Sequence, residues 1–137
     1  PDNTFPVVAF DPPYCGKGGR DTSGVKAMDD AYGLTDSPKR PADLLAMNIA
    51  GLAECCRVAR RVVLLKSMDF VSGGELHCQT RALEEAAEGF GWVPYERLIH
   101  APAGGRPQPP GRRELRARQR PSVLTVLVPR KLKRGAA

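Results

Sequence analysis

The sequence predicts an α/β fold, in which helices pack on a sheet. Two apolar runs of strand-like residues, at 5–10 and 62–65, each end abruptly in polar residues. Apolar residues at helical spacing occupy the segments that follow these runs. The length of 137 residues is enough for one domain with its own core, so 1–137 is predicted to be a single, partial domain.

The first strand carries the most informative stretch of the chain. Residues 5–10 are strand-like and expected to be buried, and they lead directly into Asp11, Pro12, Pro13 and Tyr14. Two consecutive prolines have no N–H to donate to a sheet, so the chain must turn there. The carboxyl end of a strand is where open α/β sheets bind ligands. The stretch is therefore a candidate site, with a simple turn after a strand as the alternative.

The segment 15–40 is rich in Gly and polar residues and has no sustained period. A loop of this length inside a compact domain is typically a functional lid or disordered. An alternative is a phosphate-binding loop formed by Gly16, Gly18 and Gly19. However, the sequence contains neither GxxxxGK[ST] nor a strand–GxGxxG–helix pattern. A lid is therefore the favoured prediction.

A helix is predicted from about 41 to 59. Pro41 suits a first helical position, and Asp43 suits the positive end of the helix dipole. One apolar face packs on the sheet, and it is expected to comprise Leu45, Ile49, Leu52 and Cys56.

The continuous apolar run 62–65 is typical of a strand buried on both faces. It ends at Lys66-Ser67-Met68-Asp69, which are either site residues or a solvated strand end.

A second helix is predicted over about 72–88, capped by Gly89 or Gly91. Its apolar face is expected to comprise Leu76, Leu83, Ala87 and Phe90. Residues 92–99 and 122–128 then read as strands, and Pro94 favours an edge position or a bulge.

Charge is distributed unevenly along the chain. The net charge is +6, but residues 100–137 hold eight Arg and two Lys against one Glu, and the first 99 residues are net negative. A basic connection spans 100–121 and a basic, mobile tail spans 129–137. Phosphate contacts are predicted for the six arginines of the connection, which are Arg106, Arg112, Arg113, Arg116, Arg118 and Arg120. The alternative is a solvated, disordered loop.

The cysteines give no metal motif. Cys15, Cys55, Cys56 and Cys78 form no CxxC pair, and a zinc site that added His77 would fit no usual spacing. Reduced thiols and no bound metal are therefore expected. The sequence has no apolar run of membrane-spanning length and no visible signal peptide, so we predict a cytoplasmic protein with no membrane partner.

The tetrapeptide Asp11-Pro12-Pro13-Tyr14 resembles motif IV of the amino-group DNA methyltransferases, which methylate N6 of adenine or N4 of cytosine. The order strand, motif, long loop, helix, strand, helix and hairpin is similar to the C-terminal half of that catalytic domain. Residues 113–127 also resemble the closing hairpin of predicted bacterial DNA methylases. The resemblance implies a Rossmann-like methyltransferase sheet that uses S-adenosylmethionine, acts on double-stranded DNA and ends in a β-hairpin.

The resemblance also implies roles for individual residues. The amine on a base is a poor nucleophile, because its lone pair is delocalised into the ring. The Asp11 carboxylate and the Pro12 carbonyl would accept the two N–H bonds of that amine, and Pro13 would help to fix the turn. Tyr14 would stack on a flipped base. Asp11 and Lys66 are the candidate cofactor contacts. Asp in the first position favours N6 of adenine.

The sequence departs from the family at the cofactor motif. It contains no strand followed by a Gly-rich turn of the FxGxG type. The sheet is therefore expected to lack its first strands, and a cofactor-binding half is expected elsewhere in a longer chain or in a complementing chain. The alternatives are a non-catalytic DNA-binding remnant and a methyltransferase that acts on RNA or a protein amide.

Overall fold

The computed structural model describes residues 1–13, 38, 40–72, 74–100 and 121–133. These form an α/β fold, which confirms the predicted class. The elements in chain order are β1 (Phe5–Phe10), α1 (Pro41–Val58), β2 (Ala59–Met68), β3 (Phe70–Ser72), β4 (Glu75–His77), α2 (Gln79–Gly89), β5 (Trp92–His100), β6 (Ser122–Pro129) and α3 (Arg130–Lys133).

The main sheet has four strands in the order β1-β2-β6-β5. Only β1 and β2 are parallel, with Phe10 opposite Leu65. β6 runs antiparallel to both β2 and β5. The sheet is therefore mixed. β5 and β6 form the predicted antiparallel hairpin. Its second strand, β6, lies beside β2 and runs in the opposite direction to it.

The core lies between one face of this sheet and the two longer helices. Burial alternates along β2, where Val63, Leu65 and Ser67 are buried. Such alternation is typical of a strand with one face against the core. The buried apolar cluster comprises Leu52, Cys56, Ala59, Val63, Leu65, Leu83, Ala87, Trp92 and Leu127. Each fully buried Leu or Val contributes about 1.5–3 kcal/mol relative to an exposed one.

The first strand is less buried than its composition predicts. Val8 and Phe10 pack against the core cluster, whereas Phe5 and Val7 are 53% and 51% exposed. The prediction of a buried strand is therefore wrong for the alternate residues. Among the described residues β1 pairs only with β2, so it is an edge strand, and only every second side chain points to the helices.

The helix α1 was predicted within one residue of its observed bounds, but its buried face is rotated. Its fully buried residues are Leu44, Asn48, Leu52 and Cys56, at four-residue spacing. Leu45 and Ile49, which were expected in this face, are only half-buried against the core cluster.

The second predicted helix begins too early. Residues 70–72 and 75–77 form the two-stranded β3–β4 sheet instead, and α2 begins at Gln79. Gly74 has a φ of +84° in the turn between these strands, a conformation that glycine adopts without strain. Leu76 consequently lies in β4 and is exposed, rather than on the apolar face of a helix.

The remaining predictions concern the C-terminal elements. Pro94 lies in an edge strand and beside a register shift, so both predicted settings occur together. Gly91 has a φ of +83° just after α2, as expected for a left-handed cap. Within the predicted tail, Arg130–Lys133 form α3, and the Arg130 N–H donates to the Gly91 carbonyl at 2.9 Å. Residues 134–137 lie outside the described residues.

Candidate functional site

The centre of the candidate site is an ion pair at the carboxyl ends of β1 and β2. Phe10 is opposite Leu65 in the parallel register, so Asp11 and Lys66 come next on each strand at the same level. The Lys66 Nζ lies 3.1 Å from the Asp11 Oδ2. The Asp11 side chain is nevertheless 60% exposed. The sheet thus brings together two predicted site residues and leaves a carboxylate accessible at an open strand end.

The two prolines after Asp11 lie in different environments. Pro12 is buried and Pro13 is exposed. The Pro13 carbonyl accepts a hydrogen bond of 3.0 Å from the Asn48 Nδ2 on α1. The helix therefore holds the turn that follows Asp11.

Asn48 was missed in the sequence. The available signal was an amide at the position where α1 otherwise repeats apolar residues every four positions, at Leu44, Leu52 and Cys56. A polar residue inside such a stripe needs a buried partner.

The other polar residues at the end of β2 secure the start of α2. The Ser67 hydroxyl donates to the Thr80 Oγ1 at 3.0 Å. The Thr80 backbone N–H donates to the Asp69 Oδ1 at 2.9 Å, which satisfies one of the open donors of the first helical turn. Of the four residues from Lys66 to Asp69, Lys66 is thus the one that contacts Asp11 through its side chain.

A second polar cluster lies where α2 crosses β5 and β6. The Glu84 carboxylate is buried and accepts hydrogen bonds from the Arg97 Nε at 2.8 Å and from the Thr125 hydroxyl at 2.8 Å. The Arg97 Nη2 also donates to the second Glu84 oxygen. Both carboxylate oxygens are engaged, so the cluster joins three elements of the fold and presents no open acceptor to a ligand.

A cavity away from the Asp11 site is found among the described residues. It has a volume of about 370 Å³ and lies between the first turn of α1, the β3–β4 sheet and α2. Neither Asp11 nor Lys66 is among its described lining residues, which are Pro41, Ala42, Leu45, Phe70, Leu76, His77, Cys78, Gln79 and Ala82. Its lining is mostly apolar, and Phe70 and His77 stack with ring centroids 5.1 Å apart.

Three of the four cysteines lie within the described residues. Cys55, Cys56 and Cys78 are free thiols, as expected, while Cys15 lies outside the described residues. Burial raises the pKa of Cys56 to about 12. Within residues 1–13, 38, 40–72, 74–100 and 121–133, no group of His, Cys, Asp and Glu is arranged to hold a metal. In the same part of the chain, no helix is long and apolar enough to span a bilayer.

The described glycines do not fit an S-adenosylmethionine site. Gly51 lies inside α1, Gly74 lies in the β3–β4 turn, Gly89 is the last residue of α2, and Gly91 lies between α2 and β5. None follows the carboxyl end of a strand of the main sheet, where a Gly-rich turn lets a backbone approach a nucleotide. In the part of the chain that is described, Asp11 and Lys66 alone do not make a cofactor site.

Several predicted site residues lie outside the described residues. They are Tyr14, most of the segment 15–40, and the six arginines from Arg106 to Arg120. Base stacking and phosphate contacts by these residues stay predictions.

Comparison with known proteins adds no relative. No family model matches the chain, and neither a curated protein nor a solved structure shows significant similarity to it.

Proposed function

We propose that this chain is the catalytic half of a DNA methyltransferase that transfers a methyl group from S-adenosylmethionine to N6 of adenine. The observation that carries the proposal is the position of Asp11. Its carboxylate is exposed at the carboxyl end of β1, beside Lys66 and directly before a proline turn anchored by Asn48. This is the edge of an α/β sheet at which ligands bind.

The chemistry that these residues support is orientation of an amine. The Asp11 carboxylate accepts one amine N–H and the Pro12 carbonyl accepts the other. Two fixed acceptors draw the nitrogen toward a tetrahedral geometry and aim its lone pair at the methyl donor. Pro12 and Pro13 restrict the backbone, so little ordering is needed during the reaction. Asp11 acts as an orienting acceptor. Lys66 helps to hold the carboxylate in place through its ion pair.

We propose two partners and a compartment for this reaction. Double-stranded DNA would be held by the basic connection 100–121, and the cofactor by a further half in the same or a complementing chain. The exposed apolar side chains of Phe5 and Val7 on an edge strand support a partner on that side of β1. The free thiols support action in the cytoplasm.

The reaction is tested with protein that includes the cofactor-binding half and with tritiated S-adenosylmethionine. Four acceptors are compared: duplex DNA that contains adenine, duplex DNA that contains only G·C pairs, RNA, and a peptide that contains glutamine. We expect N6-methyladenine in hydrolysed duplex DNA. The control is Asp43→Ala, which removes an exposed carboxylate of α1 and should leave transfer unchanged. If the label is found in RNA or in the peptide, that acceptor and not DNA is the substrate. DNA binding without transfer to any acceptor would identify a DNA-binding remnant.

Binding of the cofactor is tested separately, on the chain of 137 residues. Because the described glycines do not provide a nucleotide turn, this chain alone should bind S-adenosylmethionine weakly or not at all. Calorimetric titration measures the binding. Affinity in the low micromolar range would show that the cofactor is held by residues of this chain after all.

A further inference from the structure

Asn48 breaks the pattern of the helix that carries it. The buried residues of α1 repeat every four positions, and Asn48 is the polar one among Leu44, Leu52 and Cys56. It is 1% exposed, so its amide has been removed from water. Burying an amide lowers stability unless hydrogen bonds replace its lost hydration. A local rule broken in this way is expected mainly at functional sites.

Of the two polar atoms of the Asn48 amide, one has a hydrogen bond among the described residues that replaces its lost hydration. The Nδ2 donates to the Pro13 carbonyl at 3.0 Å, but the buried Oδ1 accepts no hydrogen bond from the residues that the structure describes. The assignment of nitrogen and oxygen follows from this contact, because the flipped amide would place two acceptors against each other. A buried acceptor without a donor destabilises the folded state. An apolar side chain at position 48 would avoid this cost, so stability alone does not account for the asparagine.

The hydrogen bond reaches the turn that follows Asp11. Neither proline has an N–H, so the turn cannot be tied to the sheet through backbone donors at positions 12 and 13. The Asn48 amide supplies a donor from the core instead, across 35 positions of sequence. Fixing the Pro13 carbonyl limits rotation of the peptide units on both sides of it.

The same helix also holds the residue before Asp11. A Cβ built on Gly51 would lie 2.7 Å from the Phe10 Cζ, so the glycine allows the Phe10 ring to lie directly on α1. Gly51 is three positions after Asn48 and therefore lies close to it along the helix surface. Asp11 is thus flanked by two contacts with α1, one through Phe10 and one through Pro13.

We infer that Asn48 is a positioning residue for the amine-binding turn, an inference that rests on the proposed function. By holding the Pro13 carbonyl, it keeps the Pro12 carbonyl and the Asp11 carboxylate in the relative orientation that two N–H bonds of one nitrogen require. Asn48 itself does not touch the substrate. Its loss should affect the rate of transfer more than substrate binding.

The test compares Asn48→Leu and Asn48→Ala with Leu83→Ala in protein that includes the cofactor-binding half. Asn48→Ala covers the case in which leucine overfills the site. Leu83 is fully buried on α2, outside the turn, and its truncation is the control for a loss of stability that does not involve the turn. For at least one Asn48 variant we expect a thermal midpoint equal to or above wild type, KM close to wild type and kcat lower by about a hundredfold. Leu83→Ala should lower the midpoint and retain kcat.

A second readout is independent of activity. In protein labelled with ¹³C at prolyl carbonyls, the Pro13 signal should shift in both Asn48 variants and remain unchanged in Leu83→Ala. Wild-type kcat in a folded Asn48 variant would overturn the inference and leave the proposed function intact. A fall in the midpoint without the change in kcat would make Asn48 merely structural. If wild-type protein transfers methyl to none of the acceptors, the proposed function fails and the inference fails with it.

Discussion

Asp11 and Glu84 are two carboxylates of the same fold in opposite circumstances. The Glu84 side chain is 6% exposed, and Arg97 and Thr125 together donate to both of its oxygens. The Asp11 side chain is 60% exposed at a strand end, and its ion pair with Lys66 is itself accessible to water. One carboxylate joins elements of the core, and the other is presented at an edge.

The difference separates stability from function. A buried carboxylate must have partners, because its desolvation is otherwise not compensated. An exposed ion pair contributes about 0–1 kcal/mol, so the pair of Asp11 with Lys66 adds little to the stability of the core. An exposed acid at the ligand-binding edge of a sheet is a better candidate for chemistry than a buried acid whose two oxygens accept hydrogen bonds from other elements of the core.

The largest expected effect on stability is that of Glu84→Ala. It removes three hydrogen bonds and leaves the Thr125 hydroxyl buried without its acceptor. We expect the free energy of unfolding to fall by about 2–4 kcal/mol, measured by urea denaturation. Glu85→Ala is the matched control, because Glu85 lies on the exposed side of α2 in an ion pair with Arg81. Equal losses in the two variants would contradict the structural role of Glu84.

A smaller effect is expected where α1 presses on the end of β1. Gly51→Ala places a Cβ 2.7 Å from the Phe10 ring, so either the ring or the helix must move. We expect a loss of about 1–3 kcal/mol, together with slower methyl transfer, because Phe10 directly precedes Asp11.

Gly89→Ala provides the control for Gly51→Ala. A Cβ at Gly89 meets nothing within 4 Å, so stability should be unchanged or slightly higher and transfer should be unaffected. A neutral Gly51→Ala would show that the strand end tolerates displacement, and would weaken the argument that the placement of Asp11 is controlled by α1.

The smallest effect concerns a third carboxylate, on the surface. The Arg57 guanidinium lies 2.7 Å from Glu54 and 2.5 Å from Asp2, and its hydrogen bond to Glu54 lowers the pKa of that carboxyl. A lowered folded-state pKa gives stability that is present above the ordinary value of 4.5 and is lost as the pH falls through the folded value. Arg57→Ala should therefore lower the thermal midpoint slightly at neutral pH and not at strongly acid pH. A difference that persists at pH 2 would contradict this account.

The sequence predicted those parts of the fold that depend on local pattern. The bounds of α1, the positions of β5 and β6, the bulge at Pro94 and the cap at Gly91 all follow from turn chemistry and periodicity. The predicted start of α2 was wrong because residues 70–72 pair with residues 75–77 as two short strands, and Gly74 adopts a turn conformation between them. Strand pairing is a tertiary outcome that helical periodicity does not reveal.

The candidate site was predictable only in part, for a related reason. Asp11 and Lys66 could be proposed because each ends an apolar run, and a parallel register then brings them together. Asn48 could not be assigned a role, because its partner is 35 positions away and depends on how α1 packs. The exposure of β1 was also unpredictable, since composition indicates a strand but not its place in the sheet order.

The most direct test of the central claim is a paired measurement on Asp11→Ala and Glu84→Ala, in protein that includes the cofactor-binding half. Thermal midpoint and tritiated-methyl incorporation into adenine-containing duplex DNA are recorded for each. We predict that the free energy of unfolding of Asp11→Ala lies within about 1 kcal/mol of the wild-type value and that this variant transfers no methyl group. The folded fraction of Glu84→Ala should still transfer methyl. An Asp11→Ala protein that is clearly less stable, yet methylates adenine at a near-normal rate, would show that Asp11 serves the turn and not the reaction.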